Sequence, residues 1–76
     1  MAELTLTFGQ RLKFTREAWN LSIQEAALRM SISDQQLSNW ENDLSRPGDY
    51  VIAGLALVYR VTPEFLKTGR IEESHA

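Results

Sequence analysis

A chain of 76 residues, with eight Lys and Arg against ten Asp and Glu and a formal charge of −2, suffices for one domain with one modest core, whose marginal stability an oligomer would raise. It has no cysteine and a single histidine, His75, so neither a disulfide nor a zinc site can be assembled and no metal or cofactor is expected. No basic region precedes a long apolar run at the N-terminus, and no apolar stretch approaches the ~20 residues a membrane helix needs, which points to a soluble, intracellular protein.

Met1 to Leu6 shows no pattern and reads as a tail. Thr7 followed by Gln10 has the spacing of a capping box, and Phe8, Leu12, Thr15 or Arg16, and Trp19 recur at helical intervals, so a first helix is predicted to run to about Trp19. Asn20 suits a left-handed exit. Ser22 with Glu25 opens a second helix near Ile23, and Ser33 with Gln36 repeats the device to open a third near Asp34, where Ile32 and Leu37 occupy the positions of a hydrophobic staple. Arg29 to Ile32 leaves room only for a tight turn, so these two helices must cross steeply. Ala26, Ala27, Met30, Ile32, Leu37 and Trp40 are then expected to share one core.

Asp43 to Gly48 reads as a loop, with Asp49 placed to cap a fourth helix from Tyr50 to Tyr59. Its predicted inward face is Ile52, Leu55, Ala56 and Tyr59, and Gly54 inside it costs about 1 kcal/mol relative to Ala unless another backbone packs there. Thr62 and Pro63 begin a short fifth helix to Lys67, Gly69 stops it, and Arg70 to Ala76 is a polar tail. The expected fold class is all-α: a compact bundle of five short helices with a central helix-turn-helix, spanning residues 7–69 between tails 1–6 and 70–76.

The ordered set of Leu21-Ser22, Glu25-Ala-Ala27, Ile32-Ser33, Leu37-Ser-Asn-Trp-Glu-Asn42 and Arg46-Pro47 resembles the phage repressor and Cro-like, XRE-type, helix-turn-helix proteins over about Phe8 to Gly69. That resemblance implies a lambda-repressor-like DNA-binding domain. It would act as a homodimer that regulates transcription by occupying an operator in the cytoplasm of a bacterial or phage-infected cell, without cofactor or chemistry. The recognition helix would be residues 34–41, inserted in the major groove, with Gln35, Gln36, Ser38 and Asn39 reading base edges. Gln and Asn suit that task because their paired donor and acceptor match adenine N6 and N7, although ordinary solvent-facing polar residues would look the same. By the same resemblance Arg11, Lys13, Ser22, Asn42 and Arg46 contact phosphates, and Arg16 and Glu41 form a buried structural ion pair.

Three positions depart from the family pattern. Ile23 stands where a phosphate-binding glutamine is usual, Ser31 where the turn favours glycine, and Asp34 brings a carboxylate to the proposed DNA face. The acidic balance, Ile23 and Asp34 motivate an alternative: a protein-interaction module of the same fold, an antirepressor or antitoxin-like adaptor that does not bind DNA. Val51, Leu57 and Val58, on or near the outer side of the fourth helix, are either a dimer face or a thicker core. No catalytic constellation or Gly-rich phosphate loop is present, so the protein is not expected to be an enzyme.

Overall fold

Among the described residues, hydroxyl side chains start four of the five helices. In the computed structural model, which describes residues 6–70, Thr7 opens α1 (Phe8–Ala18) and Ser22 opens α2 (Ile23–Met30) through complete capping boxes. Each hydroxyl accepts the amide of Gln10 or Glu25 at 3.1 Å, and the Gln10 or Glu25 side chain accepts the cap amide at 2.9 Å. The Ser22 amide and hydroxyl hold the Glu25 carboxyl below its usual range.

Ser33 opens α3 (Asp34–Glu41) with only half of this device: its hydroxyl accepts the Gln36 amide at 3.1 Å, while the Gln36 side chain stays exposed and does not return. The expected second half of that box is therefore absent, although the equally exposed Gln10 makes it at the start of α1. α4 (Asp49–Tyr59) starts one residue earlier than expected, with Gly48 as its cap and no side-chain bond there. Asp49 lies inside the first turn rather than capping it, where the helix dipole favours a carboxylate, and its Oδ1 is 3.4 Å from Lys67 Nζ. Thr62 caps α5 (Pro63–Thr68), which ends one residue beyond the sequence reading.

Left-handed residues turn the chain between these elements. Asn20 has the expected φ of 59° after α1, which ends at Ala18, and Ser31 has a φ of 57° at the turn between α2 and α3. Strain of about 1 kcal/mol is stored at each such non-glycine position. α1 and α2 both pack on α3, α4 bridges α2 and α5, and α5 closes on α1. Ala26, Ala27, Leu37 and Trp40 meet Leu12, Ile52, Leu55, Ala56, Tyr59 and Leu66 in one core, with Met30 and Ile32 half-buried against it. The inward face of α4 is the expected one.

Two packing details escape the hydrophobic pattern. Gly9 lets the backbone of α1 come so close to the end of α3 that a Cβ there would lie 2.5 Å from the Glu41 carbonyl oxygen and 2.6 Å from that of Trp40. The Tyr59 hydroxyl is buried without a hydrogen-bond partner among the described residues, and burial, then the nearby Glu41 charge, pushes its pKa well above the usual phenol range. Leu6, read as tail, is instead half-buried, whereas residues 1–5 and 71–76 lie outside the described part. Among the described residues no helix is long and apolar enough to cross a membrane.

Gly9→Ala should destabilise the domain by ~1–3 kcal/mol, because the added methyl meets backbone rather than a movable side chain. For a domain of this size each kcal/mol lowers Tm by roughly 4–8 °C. Tyr59→Phe, which deletes an unsatisfied buried hydroxyl, should leave Tm unchanged or raise it. Thermal unfolding followed by circular dichroism checks both, and a parental Tm for Gly9→Ala would refute the close approach of α1 to α3.

Candidate nucleic-acid interface

α3 buries Leu37, Trp40 and Glu41, so the opposite side of the helix faces outward. Gln35 and Asn39 lie there one turn apart and are bonded to each other, Gln35 Nε2 donating to Asn39 Oδ1 at 2.9 Å. The pair still has the Gln35 carbonyl, one Gln35 N–H and both Asn39 N–H groups free for a ligand, in an orientation that each amide fixes for the other. Gln36 is exposed on one flank, and Ser38 is half-buried on the other. The Ser38 carbonyl and hydroxyl both accept from Asn42 Nδ2, at 2.9 and 3.3 Å. Asp34 is exposed in the first turn, and Ile23 is partly buried against the core, where its side chain packs rather than hydrogen-bonds.

This helix is seated by a buried ion pair. Arg16 donates from Nε to Glu41 Oε2 at 2.8 Å and from Nη2 to Oε1 at 3.0 Å, a bidentate contact between α1 and the last residue of α3. Its Nη1 donates to the Leu21 carbonyl at 2.8 Å, so the same guanidinium also holds the segment leading into α2. The bond to Glu41 raises the Arg16 pKa, and burial opposes it less strongly.

The proposed phosphate contacts separate into two groups. Lys13 and Arg46 are exposed, and the Arg46 guanidinium stacks 4.8 Å from the centroid of the Phe8 ring, which aims it without neutralising it. Ser22 and Asn42 are exposed but already engaged, the first as the cap of α2 and the second on Ser38. Arg11 requires a correction, for it is turned inward and buried. Its Nε donates to the Leu66 carbonyl at 3.0 Å, its Nη2 to that of Lys67 at 2.7 Å, and its Nη1 to that of Leu6. It closes the C-terminal end of α5, where carbonyls lack helical partners, and so is not available to a phosphate. Burial, then the neighbouring Arg46 charge, lowers its pKa.

Asp43 is a contributor that the sequence reading missed. At the left-handed residue just beyond α3 (φ 59°), its Oδ1 accepts the Gly9 amide at 2.9 Å and its Oδ2 accepts the Thr7 hydroxyl at 2.5 Å. It thereby satisfies an amide at the start of α1 and ties the loop carrying Arg46 to that helix. The one available signal was an acidic residue in a turn, which does not say which distant amide it will meet.

The expected strip of Val51, Leu57 and Val58 also needs correction. Val51 and Val58 line a groove with Met30, Ile32 and Trp40, which Tyr50, 93% exposed, and Gly54 also line, whereas Leu57, 81% exposed, lies round the helix and outside it. Among the described residues no cluster of three or more metal-ligating side chains occurs.

Residues 12–66 match the profile of a helix-turn-helix family. The chain belongs to that family. It is 31% identical over 61 residues to the HTH-type transcriptional regulator ImmR of Bacillus subtilis (strain 168), an alignment covering 80% of this chain and 48% of ImmR, so it spans about half the length of that relative. The P22 c2 repressor, solved in complex with a synthetic operator, superposes with a TM-score of 0.81 at 20% identity, covering 87% of this chain and all of that one. SinR, described as the master regulator for biofilm formation and solved in complex with DNA, superposes with a TM-score of 0.74 at 26% identity over 79% of this chain and 97% of that one. The all-helical, repressor-like architecture of this helix-turn-helix domain is thus shown.

Removing one member of the Arg16–Glu41 pair should be far worse than removing both. Glu41→Ala alone should cost ~3–5 kcal/mol by leaving a buried guanidinium unpaired, whereas Arg16→Met with Glu41→Leu should recover most of that stability. Denaturant unfolding of the two single variants and the double variant checks the coupling, and additive losses would refute it.

Proposed function

We propose that this helix-turn-helix protein is a sequence-specific, DNA-binding transcriptional regulator, α3 entering the major groove and regulation following from occupancy of an operator. The observation that carries the reading is the outward Gln35–Asn39 amide pair on a helix held by the buried Arg16–Glu41 bridge. A rigidly seated helix whose exposed side is polar and uncharged beyond its first turn suits hydrogen bonding to base edges. The charge distribution supports it: all eight basic residues but only seven of the ten acidic ones fall within residues 6–70, a net charge of +1, the other three acids being Glu3, Glu72 and Glu73. Gln35 and Asn39 are the chief readout residues, with Gln36 and Ser38 at their edges. Arg46 and Lys13 meet phosphates, joined by Ser22 and Asn42 where their caps permit. The protein acts in the cytoplasm as a homodimer, since one short helix reads too few base pairs to specify a site, and it performs no catalysis.

A second reading, an adaptor of the same fold that binds protein rather than DNA, is favoured by Arg11 and Ile23. The first is turned into the structure and the second is partly buried, so two places where a phosphate contact would be usual lack one.

Selection from random duplexes, followed by salt titration on the selected site, tests both readings. Arg46→Ala should weaken binding to every duplex and lower the salt slope by about 1 per protomer. Gln35→Ala and Asn39→Ala should leave the slope nearly unchanged, lose ~1–3 kcal/mol on the preferred site and relax discrimination at one base pair per half-site. Equal losses on specific and random duplexes would overturn the readout assignment. A parent that binds no duplex at low salt would transfer the domain to the adaptor reading.

A further inference from the structure

α4 is apolar on nearly every side: between Asp49 and Arg60 its sequence is YVIAGLALVY, yet only Ile52, Leu55, Ala56 and Tyr59 are buried. On the side facing away from the core stand Tyr50 and Leu57, two turns apart and both almost fully exposed, with Ala53 and Gly54 between them. Gly54 weakens the helix, and the benefit a glycine offers here, room for another backbone, is unused among the described residues: a Cβ added there would meet none of them within 4 Å. We propose that this face is the homodimer contact, α4 of one protomer crossing α4 of a second copy in antiparallel fashion at Ala53 and Gly54. The proposal rests on the homodimer reading given above and assigns its surface.

The pattern is self-complementary about its own centre, as a two-fold contact requires. Residue 50 and residue 57 are equidistant from the midpoint of 53 and 54, so in an antiparallel pair each Tyr50 lies against the other copy's Leu57, and the two small residues pass each other at the crossing. The charges agree. Asp49 at the N-terminal end, exposed although its Oδ1 lies 3.4 Å from Lys67 Nζ, and Arg60, exposed at the C-terminal end, are each brought near their opposite by the antiparallel pairing, within a helical turn of register. The side-by-side parallel arrangement would place like charges together.

Size predicts the strength of the contact. An ordinary stable dimer buries about 800 Å² per partner, roughly one seventh of the 5639 Å² that this chain exposes. An 11-residue helix is only about 16 Å long, so one strip along it falls well short of that area. The dimer is therefore weak in free solution and is completed when a duplex holds both copies.

The chain contains no cysteine, so a single introduced thiol reports directly on the contact. Ala53→Cys places that thiol beside the two-fold axis on the exposed side of α4 and keeps Gly54, whose missing Cβ the crossing uses, and Ala18→Cys places one beside the competing apolar cleft of Phe14, Trp19 and Phe65. With copper–phenanthroline as oxidant, Ala53→Cys should form the disulfide dimer at least tenfold faster than Ala18→Cys. A duplex obtained by selection should accelerate it further, and Leu57→Glu in the same chain should slow it at least tenfold. Faster coupling through position 18, or coupling at 53 that ignores Leu57→Glu, would overturn the α4 contact. So would a dimer detected on the duplex by sedimentation without coupling at 53, although DNA binding would then still stand. Coupling at 53 that responds to Leu57→Glu in a protein that binds no duplex would support the α4 contact while removing the DNA reading.

Discussion

The bidentate bridge from Arg16 to Glu41 is the interaction on which the placement of α3 depends. Two charges taken out of water cost several kcal/mol each, and they recover this only when geometry is good and the remaining donors are satisfied. Here both conditions hold: two parallel bonds join the side chains, and the third nitrogen of the guanidinium donates to the Leu21 carbonyl. The result adds orientation more than stability. An apolar contact at that position would tolerate sliding, whereas a forked pair has one register, and Gly9 lets the helices come close enough for it to form. Asp43 repeats the principle on the other side of the same junction by anchoring the loop after α3 to the start of α1.

Several polar residues that look like ligands for a partner are first of all ligands for the chain itself. A short-helix protein has many helix ends, and each end leaves amides or carbonyls that need partners. Ser22 answers that need for α2, Arg11 for the last carbonyls of α5, and Asp43 for α1. The residues left over on the outside of α3, Gln35 and Asn39, satisfy one another only in part and keep donors and an acceptor facing solvent. That surplus distinguishes them from the caps and underlies their assignment as readout residues.

The fourth helix poses the opposite question, an excess of apolar surface rather than of polar groups. Its buried side completes the monomer core, and its exposed side leaves a tyrosine and a leucine in water around a glycine that none of the described residues uses. A small domain buries little of its surface by itself, so a second copy is a natural source of further burial. Because the strip is narrow, its association stays weak enough for DNA to control it on the proposed reading.

The five helices and their order were legible in the sequence because the signals are local: a hydroxyl three residues before its amide, a proline at the first turn, apolar residues three and four apart. Ala26, Ala27, Leu37 and Trp40 could be placed in the core, and Arg16 could be paired with Glu41 by family resemblance, before any coordinates. Tertiary structure decided what depends on the meeting of distant segments. Arg11 became a brace and not a phosphate contact because the end of α5 arrives beside it; Asp43 became a cap for a helix 34 residues earlier. Gly9 became a packing requirement because two carbonyls lie where a Cβ would stand, and Leu57 parted from Val51 and Val58 because the rotation of α4 is set by what it buries. A periodic pattern states which residues share a side, but only packing fixes the direction that side faces.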